Sequence, residues 1–181
     1  MLSLVSSIFD QEFGHSFNVR LLGGADEPVY LPADAVYSYN RLFYRQDYLS
    51  SALHEIAHWC IAGQARLQLE DFGYWYHPDG RSPQQQKSFE KAEVKPQALE
   101  WMFSLACGHR FSLSTDNLNN HSYAGQVAGN EFAEAVVDQV KTWCDGSRLP
   151  IRAAQFLSRL AISSDGATAT DPLHYQLTNI V

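Results

Sequence analysis

The chain has 181 residues, a length that favours one compact domain able to bury roughly 70% of its unfolded surface without disulfide staples. Hydrophobic residues at 45% and charged residues at 18% exclude a disordered chain, and the lack of any run of about 18 apolar residues excludes a membrane-spanning helix. Thirteen Lys and Arg against twenty Asp and Glu give a net charge of −7, which argues against direct nucleic-acid binding and suits a cationic ligand or partner.

The first predicted element is a short amphipathic helix over 3–13. Its start, Met1 to Phe9, has the apolarity of a signal peptide but no basic leader, and Asp10 and Glu12 follow, so it reads as the first helix of the fold. Phe17 to Leu22 alternates as a strand does, Gly23-Gly24 predicts a turn, and Pro28 to Leu31 is a second extended piece. Tyr37 to Tyr44 alternates aromatic and polar residues and predicts a third strand. A strong helix is expected from Tyr48 to Leu69, then an aromatic strand over Phe72–Tyr76 closed by the turn His77-Pro-Asp-Gly80. Helical pattern returns from Pro83 to Cys107 with an interruption at Pro96, and two further helices are expected over Glu131–Cys144 and Leu149–Leu160. An Asn- and Ser-rich loop spans 112–122, and the Gly/Ser/Thr-rich tail from about 163 is expected to be poorly ordered. This order predicts a single α+β domain over 1–181, with a small N-terminal mixed sheet packed on helices. Three widely spaced cysteines with no C-x-x-C pair point to reduced thiols and a cytoplasmic location.

The chemistry sits in the central helix, as His54-Glu55-Ile56-Ala57-His58. Histidines at i and i+4 lie one turn and about 40° apart, so both imidazoles reach one metal ion. Leu49, Ala52, Leu53, Ile56 and Cys60 form the apolar face of this helix, while Ser51, His54, His58 and Ala62 lie opposite. With Ala57, Trp59 and Ile61 flanking, little of the helix is left for solvent. Two imidazoles in such surroundings need partners, and a shared cation supplies one for both. Glu70, Asp71, His77, Glu90, Glu93 and Glu100 are the candidates for a third ligand. Glu93 is favoured, because it borders the apolar side formed by Ala92, Leu99 and Phe103 and lies beside Pro96. Two histidines and a carboxylate leave metal positions open: with Fe(II) for dioxygen chemistry, with Zn for activation of water. Glu55 would be general base in a hydrolase, or a proton carrier beside the metal in an oxygenase.

Several blocks together resemble the elongation factor P hydroxylase family: Asp26-Glu-Pro-Val-Tyr-Leu-Pro-Ala-Asp34, Ser51 to Gly63 around the two histidines, Asp71-Phe-Gly-Tyr-Trp-Tyr76 with Pro78-Asp-Gly-Arg81, and Glu93-Val-Lys-Pro-Gln-Ala-Leu99. The likeness is continuous from about 17 to 120 and weak beyond about 125. It implies a bacterial cytoplasmic enzyme that hydroxylates the β-lysylated lysine of elongation factor P, on an α+β fold like that of a small metal-dependent ribonuclease. It also implies a two-His-one-carboxylate metal site like those of non-haem iron enzymes, with ligands at His54, His58 and Glu93. Under this reading Tyr74, Trp75 and Tyr76 would pack on the cationic substrate, and Arg81 would hold an acidic partner or cosubstrate. The rivals are a zinc-dependent peptidase of gluzincin type and a metal-stabilised module that binds elongation factor P without chemistry.

Overall fold

The computed structural model describes residues 1–71, 81–115, 128–163 and 168–180, with side chains of the fourth helix described from 131 onward. The elements are α1 (Leu2–Phe13), β1 (Val19–Ala25), β2 (Val29–Leu31), β3 (Asn40–Arg45), α2 (Leu49–Ile61), α3 (Pro83–Ala106), α4 (Ala128–Cys144) and α5 (Ile151–Ser163), with short 3-10 turns at Arg66–Gln68, Pro172–His174 and Leu177–Asn179. The architecture is the α+β arrangement expected from the sequence. Among the described residues no helix is long and apolar enough to cross a membrane.

The sheet has the order β1-β3-β2. β3 is central, parallel to β1 with Leu21 opposite Leu42, and antiparallel to β2 with Tyr30 opposite Leu42. Gly23-Gly24 does not end β1 as a turn. The strand runs on to Ala25 with an irregular register after Leu22, and Gly24 adopts φ +80°, a left-handed geometry open to glycine at little cost. At Gly23 a Cβ would come within 2.6 Å of the Tyr44 hydroxyl, so any larger residue there must displace that side chain. β3 begins at Asn40 rather than Tyr37 because Asp34 captures the preceding residues: its Oδ1 accepts from Val36 N and Tyr37 N, both at 2.8 Å.

α2 follows β3 after a three-residue link and has two distinct sides. Leu53, Ile56, Trp59 and Cys60 face the core. Trp59 lies among the rings of Phe9, Phe13 and Phe17, with centroids 5.1, 4.9 and 5.2 Å away. His54, Glu55 and His58 occupy the half-buried opposite side. The helix ends at Ile61, eight residues before the expected Leu69, because Ala62 turns to an extended ψ of 129° before Gly63. Pairing with β2 draws the following segment away from the helix axis: Asp71 bridges Tyr30, and the Tyr30 hydroxyl donates to Leu67 O at 3.0 Å. Arg152 of α5 donates through Nη2 to the carbonyls of Cys60, at 3.4 Å, and Ala62, and its guanidinium lies 4.5 Å from the Trp59 ring centre.

α3 is continuous through Pro96, where an interruption was expected. Its start is fixed by a capping box between Ser82 and Gln85, with Pro83 in the first turn. Burial of Phe89, Ala98, Leu99, Met102 and Phe103 offsets the roughly 3 kcal/mol that an interior proline costs. Within the tail, Tyr175 is fully buried, edge-on to Trp101 at 5.0 Å, and its hydroxyl donates to Ala169 O at 2.7 Å. The expected aromatic strand over 72–76 and its turn at 77–80 lie outside the described residues.

Candidate metal centre

The half-buried side of α2 faces a buried polar stripe on α3. Glu93, Gln97 and Glu100 are spaced i, i+4 and i+7, so they share one helical face, and all three are buried. The packing of α2 on α3 brings His54, His58 and Glu93 together: one ligand atom from each lies within 4.8 Å of the others. His54 Nε2 and His58 Nε2 are 3.0 Å apart, and Glu93 places Oε2 at 3.5 Å from the first and Oε1 at 3.3 Å from the second.

These distances test whether a cation fits. Two imidazole nitrogens directed at one another have at most one proton to share, and a carboxylate closes the third side. Among the described residues Glu93 Oε2 is buried and accepts no hydrogen bond, an arrangement that is costly unless a positive charge answers it. The donor set of two nitrogens and a carboxylate oxygen suits Zn or Fe(II) equally.

The electrostatics point the same way. Burial works to lower the His54 pKa, but the hydrogen bond from its ring to Glu100 and the charges of Glu100, Glu93 and Glu55 outweigh it and raise the value to about 10. For Glu93, burial pushes upward, while the charge and hydrogen bond of His58, the charge of His54 and a hydrogen bond from Gln97 bring it down to about 2. The pocket thus draws positive charge to its centre and keeps Glu93 ionised. Glu55 shifts upward, chiefly through burial, against the lowering effect of both histidines.

Of the other third-ligand candidates, Asp71 pairs with Arg66 through both carboxylate oxygens, one at 2.8 Å. Glu90 accepts from Gln86 at 3.0 Å, and Glu70 is exposed. Glu100 meets the other nitrogen of His54, with Oε2 2.8 Å from Nδ1. Arg81 is buried, lies 3.8 Å from the Phe89 ring centre and reaches Gln86, which is seven residues or about 10 Å along α3 from Glu93. Tyr74, Trp75, Tyr76 and His77 fall outside the described residues.

A cavity of about 220 Å³ opens beside Glu55 and His58, walled by Tyr30, Trp59, Lys95 and Pro96. A larger one, about 370 Å³, lies between α1 and β1 at Asp10 and Arg20 and holds none of the candidate ligands. The smaller cavity is the one placed for chemistry, because it adjoins both a candidate ligand and the candidate proton carrier.

The residues that reasoning from sequence missed are Glu100, which it weighed only as a ligand, and Gln97, which helps lower the Glu93 pKa and grips Ser114 through both its amide nitrogen (2.7 Å to O) and oxygen (3.0 Å from N). The signal was present as three polar residues at i, i+4 and i+7 on a face that also had to pack.

A family model described as elongation factor P hydroxylase matches residues 8–170. The chain is also 50% identical over 149 residues to the elongation factor P lysine hydroxylase of Haemophilus influenzae, a span covering 82% of this chain and 81% of that relative. The family match runs well past residue 125, where the shared blocks weaken, and takes in α4 and α5. Because it spans both helices that meet at the candidate centre, together with nearly all the core around them, the chain belongs to the elongation factor P hydroxylase family.

Proposed function

We propose that this chain is a cytoplasmic hydroxylase that adds one oxygen atom to the β-lysylated lysine of elongation factor P, at a metal held by His54, His58 and Glu93. The observation that carries this reading is the convergence of those three side chains in a member of this family. Fe(II) is the metal we assign, since a two-His-one-carboxylate set leaves positions open for dioxygen and substrate. When bound, it supplies the activation of dioxygen that hydroxylation of a C–H bond requires.

The chain's own residues do the rest. His54 and His58 offer ring nitrogens, and Glu93 contributes the charge that keeps a cation in a buried place. Glu55 stands on the cavity wall beside His58, with a carboxyl shifted toward holding a proton, and serves there to take up or give one. The cavity, at about 220 Å³, is below the size of pockets for drug-sized ligands and suits an extended side chain. Tyr30 and Trp59 offer aromatic surface, and Tyr74, Trp75 and Tyr76, which follow Asp71 closely in the chain, would add more for ammonium groups. The net charge of −7 favours approach of a cationic substrate. Neither relatives nor cavity add support to the zinc-peptidase reading of the same motif.

The test is the intact mass of β-lysylated elongation factor P after incubation with this protein, Fe(II), a reductant and air. A gain of one oxygen atom, absent with His54→Ala, is the expected result. An unchanged mass, even with cell extract added to supply any cosubstrate, would reject the reading.

A further inference from the structure

Glu100 is a buried carboxylate, 7% exposed, that belongs neither to the ligand set nor to the cavity wall. Glu93 and Glu100 lie two turns apart on the same face of α3 and take opposite edges of one imidazole. Glu93 Oε2 stands 3.5 Å from His54 Nε2, and Glu100 Oε2 stands 2.8 Å from His54 Nδ1. The two nitrogens of an imidazole direct their lone pairs or protons away from each other. An oxygen on Nδ1 does not share an ion with Nε2, so in this geometry Glu100 stands outside the ligand set. The short contact to Nδ1 has a different consequence. A carboxylate accepts hydrogen bonds, so the proton of a neutral His54 is held on Nδ1, and Nε2 is left as a lone pair directed at His58 and Glu93.

We infer that Glu100 is the positioning residue of this centre: by accepting the Nδ1–H of His54 it fixes the tautomer and the ring plane that present Nε2 to the metal. The inference rests on the metal reading proposed above. A carboxylate in this place also makes the imidazole a stronger donor. His58 meets Glu93 through Nε2, the metal-directed nitrogen itself, at 3.3 Å.

The experiment is titration of the purified protein with Co(II), read by its visible absorption, for the parent protein and for Glu93→Gln, Glu100→Gln and Glu100→Met. Thermal melting of each metal-free protein is measured alongside. Glu100→Met, which removes the acceptor, is expected to weaken Co(II) binding about 10–100-fold while keeping the spectrum of the parent. Glu100→Gln, whose amide oxygen still accepts the proton, is expected to fall between the two. Glu93→Gln is expected to lose both the affinity and the spectrum. Affinity within twofold of the parent for both Glu100 variants, with only the melting temperature moved, would overturn the proposal and leave Glu100 a structural partner. Loss of the spectrum in Glu100→Met, matching Glu93→Gln, would overturn it in favour of direct ligation. If Glu100→Met fails to fold, Glu100→Asp, which withdraws the acceptor by one methylene and keeps the charge, is expected to weaken binding likewise, and parental affinity there is equally fatal. A parent protein that binds no Co(II) would reject the metal reading itself, an outcome distinct from all of these.

Discussion

Arg152 ties α5 to the last turn of the helix that carries both histidines, and its removal has a size that follows from its contacts. Arg152→Met keeps most of the aliphatic stem and deletes the guanidinium, so that the carbonyls of Cys60 and Ala62 lose a charged donor and the Trp59 ring loses a cation 4.5 Å from its centre. Hydrogen bonds to a charged group contribute about 1.5–3 kcal/mol. The ring contact adds about 0.5–1 kcal/mol at a partly exposed site. Against these stands the relief of keeping a guanidinium half-buried, which leaves about 2 kcal/mol of net destabilisation. For a chain of this length that corresponds to a melting temperature lower by about 4–8 °C. Urea unfolding would show it as a lower midpoint at unchanged m-value. Arg159→Met is the control, since Arg159 holds an exposed pair with Glu12 at 2.5 Å and is expected to cost less than about 0.5 kcal/mol. If the two variants unfold at the same urea concentration, Arg152 is not the clamp described.

Other expectations concern the centre and the tail. His54→Ala, His58→Ala and Glu93→Ala should each abolish product formation and most metal binding while circular dichroism remains that of a folded protein. Retention of normal activity by the Glu93 variant would refute its assignment. In the metal-free protein, the raised His54 pKa contributes stability that is complete below about pH 6.5 and is lost as pH climbs toward about 10. The raised Glu55 pKa acts in the same sense, whereas the lowered Glu93 pKa contributes fully above about pH 4.5 and is lost toward about pH 2. Chelator-treated protein should therefore melt higher near pH 5.5 than near pH 9, and the reverse order would refute the arrangement of charges. Tyr175→Phe removes the hydroxyl that donates to the buried Ala169 carbonyl and should cost about 1–2 kcal/mol in urea, with no change expected in metal binding.

The legible parts of this molecule were those written in periodicity and spacing. Val5, Ile8, Phe9 and Phe13 repeat at helical intervals and are buried on α1, and the i, i+4 histidines of α2 meet as their spacing requires. The burial of Glu93 beside the two histidines was legible because a carboxylate at the edge of an apolar face and next to a proline is drawn inward with it. The end of α2 was not, because local helical pattern through Leu67 competes with pairing to Tyr30, a contact from 37 residues earlier. Pro96 misled for the same reason: the penalty is local, but the packing that outweighs it is tertiary. Arg152 and Tyr175 carry no motif at all, and their roles arise only where distant segments meet.

The two-sided character of α2 also bears on how the protein ages chemically. Cys60 lies two residues beyond His58, yet it is 3% exposed and turned to the core, and burial pushes its thiol pKa up more strongly than Arg152 draws it down. Oxidants attack the thiolate rather than the thiol, so Cys60 resists conversion to sulfenic acid despite its nearness to the proposed oxygen-handling centre. A helix that turns its nucleophilic sulfur into the core and its imidazoles toward α3 keeps the two groups on separate sides.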